Sequence, residues 1–218
     1  MTGLWAIWEA RNKVVFDGKQ WSVDAVLRRV RELVEEMREE GAGRREVEEE
    51  VVIGRGWRKP MQGWNKVNVD AGKMEGLGMG LGAVCRDEEE GVLWAATRQE
   101  MVDREPQLLE AEAVLMGLSE ARRRGMLRVE VESDCLGVVQ DLKNRVRGRS
   151  DLFLIYDEIL VLCSSFIQVE FSFVKRNCNR VAHALAHVVS WSVGTRVWVV
   201  DFPQNIVLLA AYDRDNMN

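Results

Sequence analysis

The chain has few of the features that mark secreted, membrane or zinc-stabilised proteins. Its four cysteines are far apart and form no CxxC pair, which argues against a zinc ribbon or a disulfide framework and favours a reducing compartment. Its apolar runs are shorter than the ~18 residues of a membrane-spanning helix. Residues 1–18 contain two tryptophans and several charges, where a signal peptide has an uninterrupted apolar core. We therefore expect an intracellular protein, in the nucleus or the cytoplasm, with no membrane contact.

An excess of positive charge is also absent. The 218 residues include 30 Lys plus Arg against 35 Asp plus Glu, a net charge of −5. Proteins that hold nucleic acid by bulk charge usually have a pI above ~9. The composition therefore excludes tight, nonspecific binding to nucleic acid by charge alone.

Composition divides the chain into three zones. Residues 1–56 combine an amphipathic helix, whose apolar side chains recur at helical spacing between Val26 and Met37, with a charged linker. Residues 57–190 have the pattern of a folded domain. We expect residues 191–218 to be a C-terminal tail packed on that domain.

The middle zone predicts an α/β domain. Period-two alternation, turn residues and helical spacing give the order β-β-β-α-β-α-α-β-α, in which the second and third strands form a hairpin across residues 87–91. A meander followed by βαβ units predicts a mixed five-stranded sheet with helices packed on it.

Three acidic residues stand out from the surface carboxylates. Asp70 is expected to end the first strand and Asp134 the fourth, where a capping role is the ordinary alternative. Glu110 lies at helical offsets from a stripe of small residues that includes Ala113 and Gly117, which turns it toward the sheet, whereas Glu112 lies on a more polar face. An inward carboxylate is costly unless a cation neutralises it. The alternative is that Glu110 reaches past the small side chains to water.

Three carboxylates on neighbouring elements predict a metal site. Gathered at one sheet edge they would repel one another and raise each other's pKa unless divalent cations neutralise them. Carboxylate oxygens favour Mg²⁺ or Mn²⁺, and a pair of such ions ~4 Å apart is the arrangement that promotes phosphodiester cleavage. The residues alone thus indicate a hard-metal site on an α/β domain.

Five short motifs surround these residues in order along the chain. They are WNKVNVDAG at 64–72, GLGAVCRD at 80–87 with Gly91, EAEA at 110–113 with 117–118, VESD at 131–134, and VKR at 174–176 with NRVAHALA at 179–186. Together they resemble the ribonuclease H family, in particular the domain of plant non-LTR retrotransposon reverse transcriptases. The resemblance implies a ribonuclease H-like fold.

The resemblance also implies an activity and a set of site residues. The activity is metal-dependent endonucleolytic hydrolysis of the RNA strand of RNA·DNA hybrids, with Asp70, Glu110 and Asp134 as catalytic ligands of two Mg²⁺ or Mn²⁺ ions. His183 stands where many members have a fourth aspartate, and it is the fourth expected catalytic residue. Because imidazole suits Mg²⁺ less well than a carboxylate, the exchange implies weakened activity. The alternative for His183 is a helix residue without chemical role.

The expected nucleic-acid contacts come from two segments. Backbone groups of Ala71, Gly72 and Lys73 are candidates, as are Lys175, Arg176, Asn179 and Arg180. A helix cap is the alternative for Asn179, and a solvated surface is the alternative for the basic residues. His187 follows His183 by four residues, so an HxxxH zinc pair is conceivable, but the sequence offers no third ligand of clear spacing.

Two other functions remain open at this point. One is a domesticated domain that binds nucleic acid without cutting it, and the other is a pseudoenzyme that binds a protein partner through its N-terminal helix. We expect a monomer. Residues 57–190 contain 18 Lys plus Arg and 20 Asp plus Glu, so metal-bound carboxylates would leave this zone near neutral, and a nucleic-acid partner stays compatible with the acidic total.

Overall fold

The fold is described from a computed structural model, which covers residues 56–74, 78–101, 104–188 and 193–216. Its strands are β1 (Asn65–Met74), β2 (Gly78–Arg86), β3 (Val92–Glu100), β4 (Arg128–Ser133), β5 (Gln168–Phe173) and β6 (Gly194–Trp198). Its helices are α1 (Pro106–Arg123), α2 (Leu136–Asn144), α3 (Asp151–Cys163), α4 (Arg180–Ala186) and α5 (Gln204–Asp215), with one 3₁₀ turn at Arg176–Cys178. The helix expected between Val26 and Met37 lies outside the described residues.

The strands form one mixed sheet in the order β5-β4-β1-β2-β3-β6. The hairpins β1–β2 and β2–β3 are antiparallel, whereas β4 pairs parallel with both β1 and β5. Each parallel pairing requires a crossover, and helices α1 to α3 supply them. The mixed α/β fold and the element order predicted for residues 65–186 are confirmed.

The expectation of five strands is wrong, because the sheet has a sixth. β6 pairs antiparallel with β3, from Ala95 opposite Trp198 to Gln99 opposite Gly194. The first three residues of β6 are exposed, so this edge strand has no alternation of apolar and polar side chains that would reveal it in the sequence. The segment expected to be a packed tail therefore contains β6 and then α5.

Helix α1 approaches β1 closely because small residues face the sheet. A Cβ atom at Gly117 would lie 2.8 Å from Cγ1 of Val69 and 3.0 Å from Cγ1 of Val67. Ala113 and Ala121 on the same stripe are fully buried. This contact confirms the sheet-facing stripe and fixes the N-terminal part of α1, which contains Glu110, at the edge of the sheet.

Helix α4 packs equally closely on the opposite face. A Cβ atom at Gly82 in β2 would lie 2.3 Å from the carbonyl oxygen of Ala182 and 2.4 Å from the amide nitrogen of Ala186. Ile206 of α5 belongs to the buried apolar cluster between α4 and this face of the sheet. The contact holds α4, which contains His183, beside β1.

A buried ion pair ties α5 to the sheet. Arg86 of β2 donates from Nη1 to Oδ2 of Asp213 over 2.7 Å and from Nη2 to Oδ1 of Asn68 over 2.8 Å, and its guanidinium carbon lies 3.7 Å from the Trp57 ring centre. Both members of the pair are nearly inaccessible to solvent. Burial raises the pKa of Asp213 more than the charge of Arg86 lowers it. Removal of either partner would leave a buried group uncompensated.

The sequence predicts neither a disulfide framework nor a membrane-spanning helix. All four cysteines lie in them, and all four are free thiols. No helix in the described part of the chain is both long enough and apolar enough to cross a membrane.

We predict that Asp213→Ala lowers the free energy of unfolding by about 3–5 kcal/mol, because Arg86 stays buried without its partner. The matched control is Asp215→Ala on the same helix, where the carboxylate is exposed and the loss should stay below about 0.5 kcal/mol. Urea denaturation of the full chain measures both. Equal losses would show that the Arg86–Asp213 pair does not stabilise the fold.

Candidate active site

Three elements bring three carboxylates together. Asp70 lies on β1, Glu110 near the start of α1, and Asp134 directly after β4. One carboxylate oxygen from each lies within 4.8 Å of the other two. The parallel pairing of β1 with β4 causes this, because the carboxyl ends of parallel neighbours lie at the same edge of the sheet.

The expected position of Asp70 at the end of the first strand is wrong. β1 continues to Met74, because its pairing with β2 extends past Asp70 as far as Met74, which lies opposite Gly78. The pairing of β1 with β4, by contrast, ends at Asn68 opposite Glu132. Asp70 thus lies where β1 and β4 separate, which leaves space beside its carboxylate.

Burial and mutual repulsion raise the pKa of two carboxyl groups in this cluster. Burial raises the pKa of Asp70, and the charge of Asp134 adds to that rise, while the hydrogen bond with His183 opposes it. Burial first, then the charges of Asp70 and Asp134, raise the pKa of Glu110 to about 9. A carboxyl group this strongly perturbed in a cleft is typical of a functional site.

The cluster fits a divalent cation. Oε2 of Glu110 is buried without a hydrogen-bond partner among the described residues, although buried carboxylate oxygens normally have one. Asp70, Glu110 and Asp134 offer only hard oxygen donors, which suit Mg²⁺ or Mn²⁺. A bound dication would give the unpartnered oxygen a ligand and offset the repulsion.

Glu112 differs from Glu110 in its partners as well as in its burial, since Glu112 is buried and Glu110 is half-buried. The face that Glu112 shares with Met116 and Glu120 has the polar residue types expected of it, yet all three residues are buried. Glu112 forms ion pairs with Arg98, at 3.2 Å, and with Arg104. Two arginines therefore neutralise Glu112 inside the fold, whereas Glu110 faces two other carboxylates.

The loop before α4 and the helix itself support two of the carboxylates. Nδ1 of His183 lies 2.7 Å from Oδ2 of Asp70. Asn179 is fully buried, and its Nδ2 donates to the Val69 carbonyl over 2.8 Å and to Oδ1 of Asp134 over 3.0 Å. Within the described segments Asn179 makes no side-chain cap. Its amide therefore bonds the backbone of β1 and ties Asp134 to it in place of capping the helix, and a nucleic-acid contact through Asn179 stays a prediction.

An open cavity of about 400 Å³ lies over the carboxylates. It is lined by Asp70, Ala71, Pro106, Gln107, Glu110, Asp134, Cys135, Gly137 and Arg176. The sequence analysis did not predict Gln107 as a site residue, although its i,i+3 spacing from Glu110 places both on one helical face. Its Nε2 donates to Oδ2 of Asp141 over 3.3 Å and to the Tyr156 hydroxyl over 3.4 Å, which fixes one wall of the cavity.

The residues expected to contact nucleic acid are divided among four environments. Ala71 and Arg176 line the cavity, while Lys73 and Lys175 are exposed. Gly72 is buried beneath His187, since a Cβ atom there would lie 2.4 Å from Cε1 of the imidazole. Arg180 turns toward α5, where its guanidinium lies 4.8 Å from the Tyr212 ring centre. The structure therefore does not bring Gly72 and Arg180 to the cavity.

Solved structures of three other proteins share this fold. Ribonuclease H1 from the halophilic archaeon Halobacterium salinarum is 20% identical over 56% of this chain and 94% of its own, with a TM-score of 0.52. The N-terminal ribonuclease H domain of a Mycobacterium tuberculosis protein is 24% identical over 56% and 90%, also with 0.52. LC11 ribonuclease H1 in complex with an RNA/DNA hybrid is 20% identical over 56% and 92%, with 0.50. These likenesses show a common fold.

Sequence comparison identifies the family. No curated protein matches the chain significantly. The sequence model of the family described as "Reverse transcriptase-like" matches residues 68–189, which is more than half of the chain and includes all three clustered carboxylates. The chain therefore belongs to the reverse transcriptase-like family, and the resemblance of its motifs to ribonuclease H is confirmed.

Proposed function

We propose that the chain is a metal-dependent endonuclease that hydrolyses the RNA strand of RNA·DNA hybrids. The observation that supports this most is the convergence of Asp70, Glu110 and Asp134, with one oxygen of each within 4.8 Å of the others. The cluster opens to a cavity with Arg176 at its wall. A membership in the reverse transcriptase-like family is consistent with this chemistry.

Each site residue has a role in this proposal. Asp70, Glu110 and Asp134 would hold two Mg²⁺ or Mn²⁺ ions, which would supply Lewis acidity and activate a water for phosphodiester hydrolysis. Asn179 keeps the Asp134 carboxylate oriented through its 3.0 Å hydrogen bond. His183 orients Asp70 through the 2.7 Å contact of its Nδ1, and its imidazole, a side chain that can both accept and donate a proton, can transfer one to the leaving 3′-oxygen.

The substrate contacts follow from the exposed basic residues. Arg176 lines the cavity, Lys175 precedes it in the chain and is exposed, and Lys73 is exposed on β1. Cations of this kind position a phosphate backbone without reading its sequence. Discrimination of a hybrid needs contacts to 2′-hydroxyl groups in the minor groove, and the Ala71 backbone at the cavity wall is the candidate for one of them.

One observation favours a second candidate function, a domain that binds nucleic acid without cutting it. Nδ1 of His183 already lies 2.7 Å from one carboxylate oxygen of Asp70. His183 also stands where many ribonuclease H members have an aspartate, whose negative charge would help to neutralise the ions. Binding of a hybrid without cleavage in either Mg²⁺ or Mn²⁺ would support this function instead.

Neutral isosteric variants test the nuclease. We predict that Asp70→Asn and Asp134→Asn each lower cleavage of an end-labelled RNA·DNA hybrid at least about 100-fold, since each loses a charged ligand. The matched control is Asp157→Asn, an exposed carboxylate on α3, which should cleave at the wild-type rate. Assays run in Mg²⁺ and separately in Mn²⁺. Unchanged cleavage in both site variants would contradict the assignment.

The raised pKa of Glu110 predicts a pH-dependent stability of the metal-free protein. The folded state holds the Glu110 proton up to about pH 9, compared with an ordinary value of 4.5. The stability that this bound proton contributes to the folded state is fully present below the ordinary pKa of 4.5 and is lost as the pH rises toward 9. In EDTA, Glu110→Gln should match the wild type near about pH 4 and exceed its stability by up to about 5 kcal/mol near about pH 8.5.

Thermal unfolding across this pH range measures the difference. Added Mg²⁺ should then raise the unfolding temperature of the wild type and change that of Glu110→Gln much less, because the variant has lost one ligand. A stability difference that does not vary with pH would show that Glu110 is not perturbed by its neighbours.

A further inference from the structure

The only two histidines of the chain stand together beside Asp70. His183 and His187 are four residues apart, so the i,i+4 geometry of α4 places them on one face. Their ring centres are 4.2 Å apart. The sequence could supply two ligands of a metal site here but no third.

The structure supplies the third ligand. One donor atom from each of Asp70, His183 and His187 lies within 4.8 Å of the other two. Asp70 precedes His183 by 113 residues, which is why no local spacing in the sequence could indicate this set. The close packing of α4 on Gly82 brings the imidazoles to β1.

His187 is held in an orientation suitable for a ligand. Its Nδ1 lies 2.9 Å from the carbonyl oxygen of His183, and because a carbonyl can only accept, Nδ1 is the protonated nitrogen and Nε2 keeps its lone pair. A hydrogen bond from the second ring nitrogen to a carbonyl is the usual support of metal-binding histidines. Gly72 confines the ring from the other side, since a Cβ atom there would lie 2.6 Å from Nε2.

We propose that Asp70, His183 and His187 form a second metal site, which binds a divalent transition metal such as Zn²⁺ in preference to Mg²⁺. Two imidazoles and one carboxylate are the ligand set of many three-ligand zinc sites, in which a fourth position stays open. Mg²⁺ prefers oxygen ligands and octahedral geometry, so the all-oxygen cluster suits it better. The inference concerns metal binding alone and holds whether or not the chain cleaves nucleic acid.

The second site shares Asp70 with the all-oxygen cluster. Occupation of one site therefore withdraws charge from the ligand of the other, and the two affinities are coupled. Arg176 lies 3.4 Å from Nδ1 of His183 and opposes a cation there by repulsion. Because Arg176 is exposed, its guanidinium can turn into solvent when a cation binds.

Cobalt provides a spectroscopic test without nucleic acid. The full chain is prepared without a polyhistidine tag and stripped of metal, and Co²⁺ is added while visible absorption is recorded. We expect one equivalent of Co²⁺ to give the d–d bands of nitrogen and oxygen ligands and to be displaced by Zn²⁺. We expect His187→Leu to weaken Co²⁺ binding by roughly 10–100-fold, with Cys163→Ser, at the end of α3, as a control that binds as the wild type.

A second variant keeps the test decisive if His187→Leu is unstable. His183→Asp turns one nitrogen ligand into oxygen, so it should lose Co²⁺ affinity while Mg²⁺ affinity, measured by calorimetry, is kept or increased. Equal Co²⁺ binding in the wild type and both histidine variants, or loss of the bands in Cys163→Ser, would overturn the proposal. Since no step uses a hybrid, these metal-binding results can be interpreted even if the chain shows no nuclease activity.

Discussion

Electrostatic repulsion among three carboxylates is the constraint around which this domain is built. Asp70, Glu110 and Asp134 lie within 4.8 Å of one another, and like charges at such distances are unfavourable in a partly buried site. Close backbone packing holds them there, with α1 seated on β1 at Gly117 and α4 on β2 at Gly82. The fold thus stores an unfavourable arrangement that a dication relieves.

The C-terminal part of the chain reinforces the same scaffold. β6 and α5 follow residue 189, where the match to the family ends. β6 pairs with β3 and α5 covers the core beneath α4, and the buried Arg86–Asp213 pair fixes α5 to β2. Since α4 and α5 share one buried apolar cluster, these additions support the helix that contains His183 and ends at His187.

Local patterns made much of the fold and part of the site predictable. Alternation and turn residues gave the order of the first nine elements, and the offsets of Glu110 from Gly117 indicated its direction. The sixth strand was missed because Gly194, Thr195 and Arg196 are exposed and show no apolar alternation. The contact of Asp70 with His183 and the ion pair of Arg86 with Asp213 each join residues more than a hundred positions apart, and no pattern in a single segment contains them.

The central claim is that the three carboxylates form a site for divalent cations. Anomalous scattering from a crystal of the full chain grown with Mn²⁺ tests this most directly, since it locates the metal without assuming any activity. The account predicts an anomalous peak in contact with carboxylate oxygens of Asp70, Glu110 and Asp134. Carboxylates in the same positions with no anomalous peak between them, at saturating Mn²⁺, would contradict it.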